Sequence, residues 1–271
     1  MTGVIPIAAR EGIATLLKNA DANHPIYIAW GNGTTDLSIY DTKLTNEVTR
    51  KAATVSLVST NTYRLAATFT VTAAQAGTAA EAGIFDAAAG GIMFYHGGFE
   101  EGDPAGIYTC TERTIAEGDI LSFRIEIVIV PSGGAIVSAG YTAIVNLLGD
   151  LSTPTAFGYV AYGAGTTAEA TSQTALVSET ARVAATVSIA SVYYSRDTVR
   201  FVGVFAIGAS PPVITEVGVF TALAAGTMLL RKLADNPFTP AANCDCYVVI
   251  DVPIRDGGAV NVGSAWGVWG S

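Results

Sequence analysis

Apolar positions recur along the chain with two different periods. Ile13, Leu16, Leu17 and Ala20, and again Ile144, Leu147, Leu148 and Leu151, fall at i, i+3, i+4 and i+7, the spacing that lines one face of an α-helix. Most of the remaining pattern alternates. Between Asp119 and Val130, Leu121, Phe123, Ile125, Ile127 and Ile129 share one face and Ser122, Arg124 and Glu126 the other, as in a half-buried antiparallel strand. Pro25–Trp30, Ala53–Val58, Tyr63–Val71, Glu81–Phe85, Ile92–His96, Phe157–Tyr162 and Asp245–Ile254 read as shorter strands, with Pro253 stopping the last or leaving it at an edge. Gly90-Gly91 and Ala225-Gly226 predict hairpin turns, whereas Asp41–Arg50 fits either a helical turn or an extended crossover. The expected class is mainly β, as β-sandwich-like modules that each open with a short amphipathic helix.

The chain repeats itself. Gly31–Ser56 aligns without gaps on Gly163–Ser188, and 13 of the 26 positions are identical, among them both glycines of Gly-x-Gly-Thr-Thr and the whole of Thr-x-Leu-x-x-Glu-x-x-Arg. The helical stripes align too, as do Glu81-Ala-Gly-Ile-Phe85 and Glu216-Val-Gly-Val-Phe220. Two tandem copies follow, 1–133 and 134–271, joined near the turn-rich Pro131-Ser-Gly-Gly134. At about 130 residues, each is of a size to carry its own core.

Composition removes several functions. With 14 Lys and Arg against 23 Asp and Glu, the net charge of −9 and the lack of a basic run argue against nucleic acid as a partner. No apolar stretch approaches the roughly 20 residues of a membrane span, and Met1–Arg10 lacks the pattern of a secretory signal. Three cysteines, Cys110, Cys244 and Cys246, read as reduced thiols, and no second cysteine or histidine pair stands at zinc spacing. Neither a metal nor another cofactor is therefore expected.

Candidate chemistry is sparse. Gly31-x-Gly33 lacks the third glycine of a dinucleotide loop and the lysine of a phosphate loop, so it reads as a structural turn. Duplicated acids and arginines suggest structural ion pairs, Arg50 with Glu81 and Arg182 with Glu216, in preference to the two carboxylates of a glycosidase. His24 is not repeated, and His96 aligns roughly with Arg231, so neither histidine belongs to a shared catalytic core. Catalytic residues are therefore not assigned. Trp266 and Trp269, in a glycine-rich stretch, are candidate interface anchors and, alternatively, platforms for a sugar ring.

Taken together, the helix, Tyr27-Ile-Ala-Trp-Gly-x-Gly-Thr-Thr35, Asp41-Thr-x-Leu-x-x-Glu-x-x-Arg50, the Glu-x-Gly-x-Phe strand and the alternating strand after Asp119 resemble virion proteins of tailed bacteriophages, of the tail-fibre and tail-collar type. That resemblance implies a non-enzymatic component assembled into the virion in the host cytoplasm. Its expected partners are other virion proteins and further copies of itself, a ring or trimer being the simplest symmetric assembly. Fibre proteins continue into a long shaft and a receptor-binding tip, and this chain stops after its second copy, which favours a tail, baseplate or collar adaptor. A capsid-surface decoration protein and a carbohydrate-binding module are the alternatives. Only 14% of residues are charged, against about 25% in an average soluble domain, in keeping with much surface committed to protein contacts.

Overall fold

The computed structural model describes residues 2–4, 6–98, 113–128, 136–151, 155–190, 198–253 and 263–267. Among them the chain is mainly β, with two α-helices and several antiparallel sheets. The first half runs β1 (Thr2–Val4), α1 (Ile7–Lys18), β2 (Tyr27–Gly31), β3 (Glu47–Ala52), β4 (Thr54–Ser59), β5 (Thr62–Thr70), β6 (Gly77–Ala79), β7 (Glu81–Phe85), β8 (Met93–Gly98), β9 (Arg113–Ile115) and β10 (Ile120–Val128). The second runs α2 (Ser138–Gly149), β11 (Tyr159–Gly163), β12 (Glu179–Ala190), β13 (Thr198–Ala206), β14 (Ile214–Phe220), β15 (Met228–Phe238), β16 (Asp245–Pro253) and β17 (Gly263–Gly267).

Strand order repeats as the sequence does. The first half pairs β1-β8-β7-β2-β3 and, separately, β10-β5-β4, while the second forms one ladder, β15-β14-β11-β12-β13-β16-β17. The shared order is interrupted in the first half, where β3 and β4 meet at Ala53, whereas β12 runs on, its first residues paired with β11 and its last with β13; β1 beside β8 and the small β6-β9 sheet belong to the first half alone, and β17 beside β16 to the second. Register is kept in detail. Ala29 lies between Arg50 and Gly83, and Ala161 between Arg182 and Gly218. The ladder shifts at Trp30/Gly31 and again at Tyr162/Gly163, so each copy carries the same bulge.

Asp41–Asn46 is a loop, and the extended backbone begins at Glu47. In β10, Phe123 and Ile125 are buried and Ser122 and Arg124 exposed, as the alternation predicts. The predicted glycine turns are hairpin turns, with positive φ at Gly90, Gly91, Ala225 and Gly226. The helices are shorter than their apolar stripes: α1 stops before Ala20 and α2 before Leu151, where Asp150 adopts a left-handed φ of 50°. The junction Pro131–Gly134 and Cys110 lie outside the described residues; Cys244 and Cys246 are free thiols.

The helices tie the halves together. Helix α1 packs on β8 of its own half and on β12 and β13 of the other, and α2 packs on β15 and reciprocally on β4 and β5. Leu16, Leu17, Ile28, Trp30 and Leu65 thus join Ile144, Leu147, Leu148, Val160 and Phe201 in one apolar cluster, where the length of each copy predicts separate cores. Each of these leucines contributes about 1.5–3 kcal/mol by leaving water. Carbonyls near the helix C-termini are also met across the halves: Phe157 N–H donates to Leu17 O, and His24 Nδ1 bonds Leu147 O.

Candidate functional site

The repeated motif converges on a buried carboxylate. Glu81 begins β7 opposite Gly31 of β2, is fully buried, and has its side chain inside the curve of the glycine loop and the loop that precedes β3. Its Oε1 accepts hydrogen bonds from Gly33 N–H (3.1 Å) and Asn46 N–H (2.8 Å), and its Oε2 accepts one from Thr45 N–H (2.9 Å). Both glycines are required by this approach. A Cβ on Gly31 would stand 2.6 Å from Glu81 Oε1, and one on Gly33 2.5 Å from the same atom. The loop is therefore an anion cradle, and the anion is the chain's own glutamate.

The second copy reproduces it. Glu216, also fully buried, accepts from Gly165 N–H (3.1 Å) and Ser178 N–H (2.7 Å) at Oε1 and from Val177 N–H (3.1 Å) at Oε2. A Cβ on Gly165 would lie 2.4 Å from Glu216 Oε1. The glycine inside Glu-x-Gly-x-Phe has a packing role: Cβ atoms on Gly83 and Gly218 would each come within 3.0 Å of the buried Leu44 and Leu176. Identity at Gly31, Gly33, Leu44, Glu81 and Gly83 thus describes one interlocking unit.

What balances the carboxylate differs between copies. His96 on β8, 1% exposed, places Nε2 2.9 Å from Glu81 Oε2 and Nδ1 2.8 Å from Asp41 Oδ2. At the same place in the second copy stands Arg231, whose Nε donates to Glu216 Oε2 (2.5 Å) and whose Nη1 donates to Gln173 Oε1 (3.1 Å). Asp41 in turn accepts from Ser38 N–H, and Gln173 from Ala170 N–H. Burial by itself would lower the His96 pKa, but the two carboxylates outweigh it and raise the value above that of a free histidine. Burial would raise Glu81 and Glu216; hydrogen bonds from His96, Asn46 and Thr45 in one case, and from Ser178, Arg231 and Val177 in the other, hold both below the usual carboxylate range.

The expected pairs of Arg50 with Glu81 and Arg182 with Glu216 are not formed. Arg50 Nε and Nη2 bond Glu47 (2.9 and 2.6 Å), and Nη1 donates to the carbonyls of Ala87 and Gly90 while the guanidinium lies 3.4 Å over the Phe85 ring. Arg182 does the same with Glu179, Ala222, Ala225 and Phe220. Glu-x-x-Arg would place its two ends on opposite faces of a regular strand. The bulge at Trp30/Gly31, and its twin at Tyr162/Gly163, returns them to one face and makes the local partner the nearer one. Arg50 and Arg182 therefore brace the hairpin loops 86–92 and 221–227, apart from the carboxylate cradle.

Sequence reasoning missed the basic residue that completes each cradle. A signal was present: a basic residue follows the cradled glutamate by fifteen positions in each copy, as His96 and as Arg231. The two histidines have different settings, since His24 sits 3.7 Å from Asp150 near the end of α2. Among the described residues, no group of three or more His, Cys, Asp or Glu side chains is placed to hold a metal ion. Trp266 lies in β17 opposite Val248. Trp269, the other expected anchor, is outside the described residues. Chemically, each cradle binds an internal carboxylate: its N–H donors are saturated and its glutamate has no exposed surface. Comparison with family models, characterised proteins and solved structures finds no match for this chain.

Proposed function

We propose that this chain is a non-enzymatic structural component of a tailed-phage virion, acting through protein–protein contacts as a tail, baseplate or collar adaptor. It is built, on this reading, as two tandem β-sandwich-like modules. The observation that carries the proposal is the cradle. Of the residues on which the resemblance to phage tail-fibre and tail-collar proteins rests, Gly33, Glu47, Arg50 and Glu81 are engaged in internal clamps whose bonds recur at Gly165, Glu179, Arg182 and Glu216. What duplication has retained is thus a way of fixing a scaffold, with the repeated glutamates Glu81 and Glu216 bound inside it. The interlocked helices support the same reading, because they pack the two copies onto one shared apolar cluster.

Its partners are then other virion proteins, with self-association as a ring or trimer that presents six related modules. Mass spectrometry of purified particles of the phage that encodes the chain tests this. Recovery at a fixed stoichiometry with the tail proteins supports the adaptor role. Recovery with capsids lacking tails would instead indicate a decoration protein, and absence from particles together with binding on a glycan array would replace the proposal with a carbohydrate-binding module.

A further inference from the structure

We propose that His96 is a pH-dependent latch on the loop segment Ser38–Lys43, fitted to the first copy alone. The imidazole lies between two carboxylates and bonds one with each nitrogen, Nε2 to Glu81 and Nδ1 to Asp41. Only the protonated ring donates from both nitrogens. Once it loses a proton, one carboxylate faces a nitrogen lone pair. Glu81 is the more deeply buried acid and keeps three backbone donors, so the remaining proton stays on Nε2 and Asp41 is let go.

Asp41 holds more than itself. It organises the loop through Ser38 N–H, and Ile39 O in that loop accepts the N–H of Ile7, the first residue of α1. Opening the latch therefore frees the loop, with its exposed Tyr40, and removes a cap from α1. The second copy has the same parts without the titration: Gln173 holds Ala170 N–H, Thr171 O caps the first residue of α2, and the bridge to the glutamate is Arg231, charged at every accessible pH.

Among the described residues, the charges that face the ring are those of Glu81 on β7 and Asp41 in the loop. Tyr95, beside it on β8, stays neutral, its hydroxyl pushed by burial up to about 12. β1, Thr2–Val4, carries no titratable residue, and Arg10, Glu11 and Lys18 of α1, which packs on β8, are not among the groups that shift the ring. The shift sets the direction: the folded value is raised above the unfolded one, so the latch contributes fully below about pH 6.5 and is lost as pH rises through the folded value.

Hydrogen exchange of the full chain across this range, corrected for the intrinsic pH dependence, compares residues 38–43 with their counterparts 170–175. The expected result is a rise of roughly tenfold or more in the first segment as the latch opens, and none in the second. Proton NMR of the imidazole should give the same midpoint, above about 6.5. The double variant His96→Arg with Asp41→Gln, which copies the second half, should abolish the rise, and His96→Gln should fix the fast rate at every pH. A parallel response of both segments, or a His96 midpoint at or below 6.5, overturns the proposal, and both readouts come from the unmodified chain should a variant fail to fold.

Discussion

Glu216→Gln is the sharpest perturbation of the cradle. The substitution keeps the shape and one oxygen, so Gly165 N–H and Ser178 N–H retain an acceptor. The other oxygen becomes an NH2 group that faces Val177 N–H and Arg231 Nε–H, donor against donor. Arg231 is left charged and fully buried without its counterion, a situation that costs about 3–5 kcal/mol. Glu47→Gln is the control: the Glu47 side chain is 31% exposed, and Arg50, 5% exposed, keeps the carbonyls of Ala87 and Gly90, so loss of the pair should cost less, about 1 kcal/mol. Equilibrium unfolding in urea measures both, and amide exchange at Gly165, Val177 and Ser178 locates the damage. A loss under about 1 kcal/mol for Glu216→Gln, or equal losses for the two variants, would refute the cradle as the anchor of each copy.

Gly165→Ala should destabilise by about 1–3 kcal/mol, since its Cβ meets a carboxylate that cannot move away, while Gly158→Ala, which meets nothing within 4 Å, should be near neutral; thermal melts of the two variants decide. Leu17→Ala should cost about 2–5 kcal/mol and raise hydrogen exchange in β12 and β13 of the other half, an effect that separate cores would not produce. Carboxyl-carbon NMR should find Glu81 and Glu216 ionised below about pH 4.3; because their folded values are depressed, the stability they contribute is present above the unfolded value and lost as pH falls through the folded one.

Much of the architecture was legible in the chain. Period-two alternation located β10, the helical stripes located α1 and α2, and the sequence repeat has its counterpart in the repeated pairing of β7, β2 and β3 and of β14, β11 and β12. The site was legible only in outline. Glu81, Arg50 and the paired glycines stood out by repetition, but which of them meet depends on a one-residue bulge between β2 and β3 that no composition or spacing announces. Tertiary register likewise decides that His96 and Arg231 serve the same glutamate, although one titrates and the other does not. The shared core was hidden for a similar reason, because an amphipathic stripe says that a helix is covered and not by which sheet.

The virion role is tested most directly by a cryo-EM reconstruction of the intact particle. Density for the whole chain is expected at a symmetric site in the tail, baseplate or collar, with the two copies packed together and their outer surfaces against neighbouring virion proteins. A complete reconstruction in which every density is assigned to other chains would contradict it.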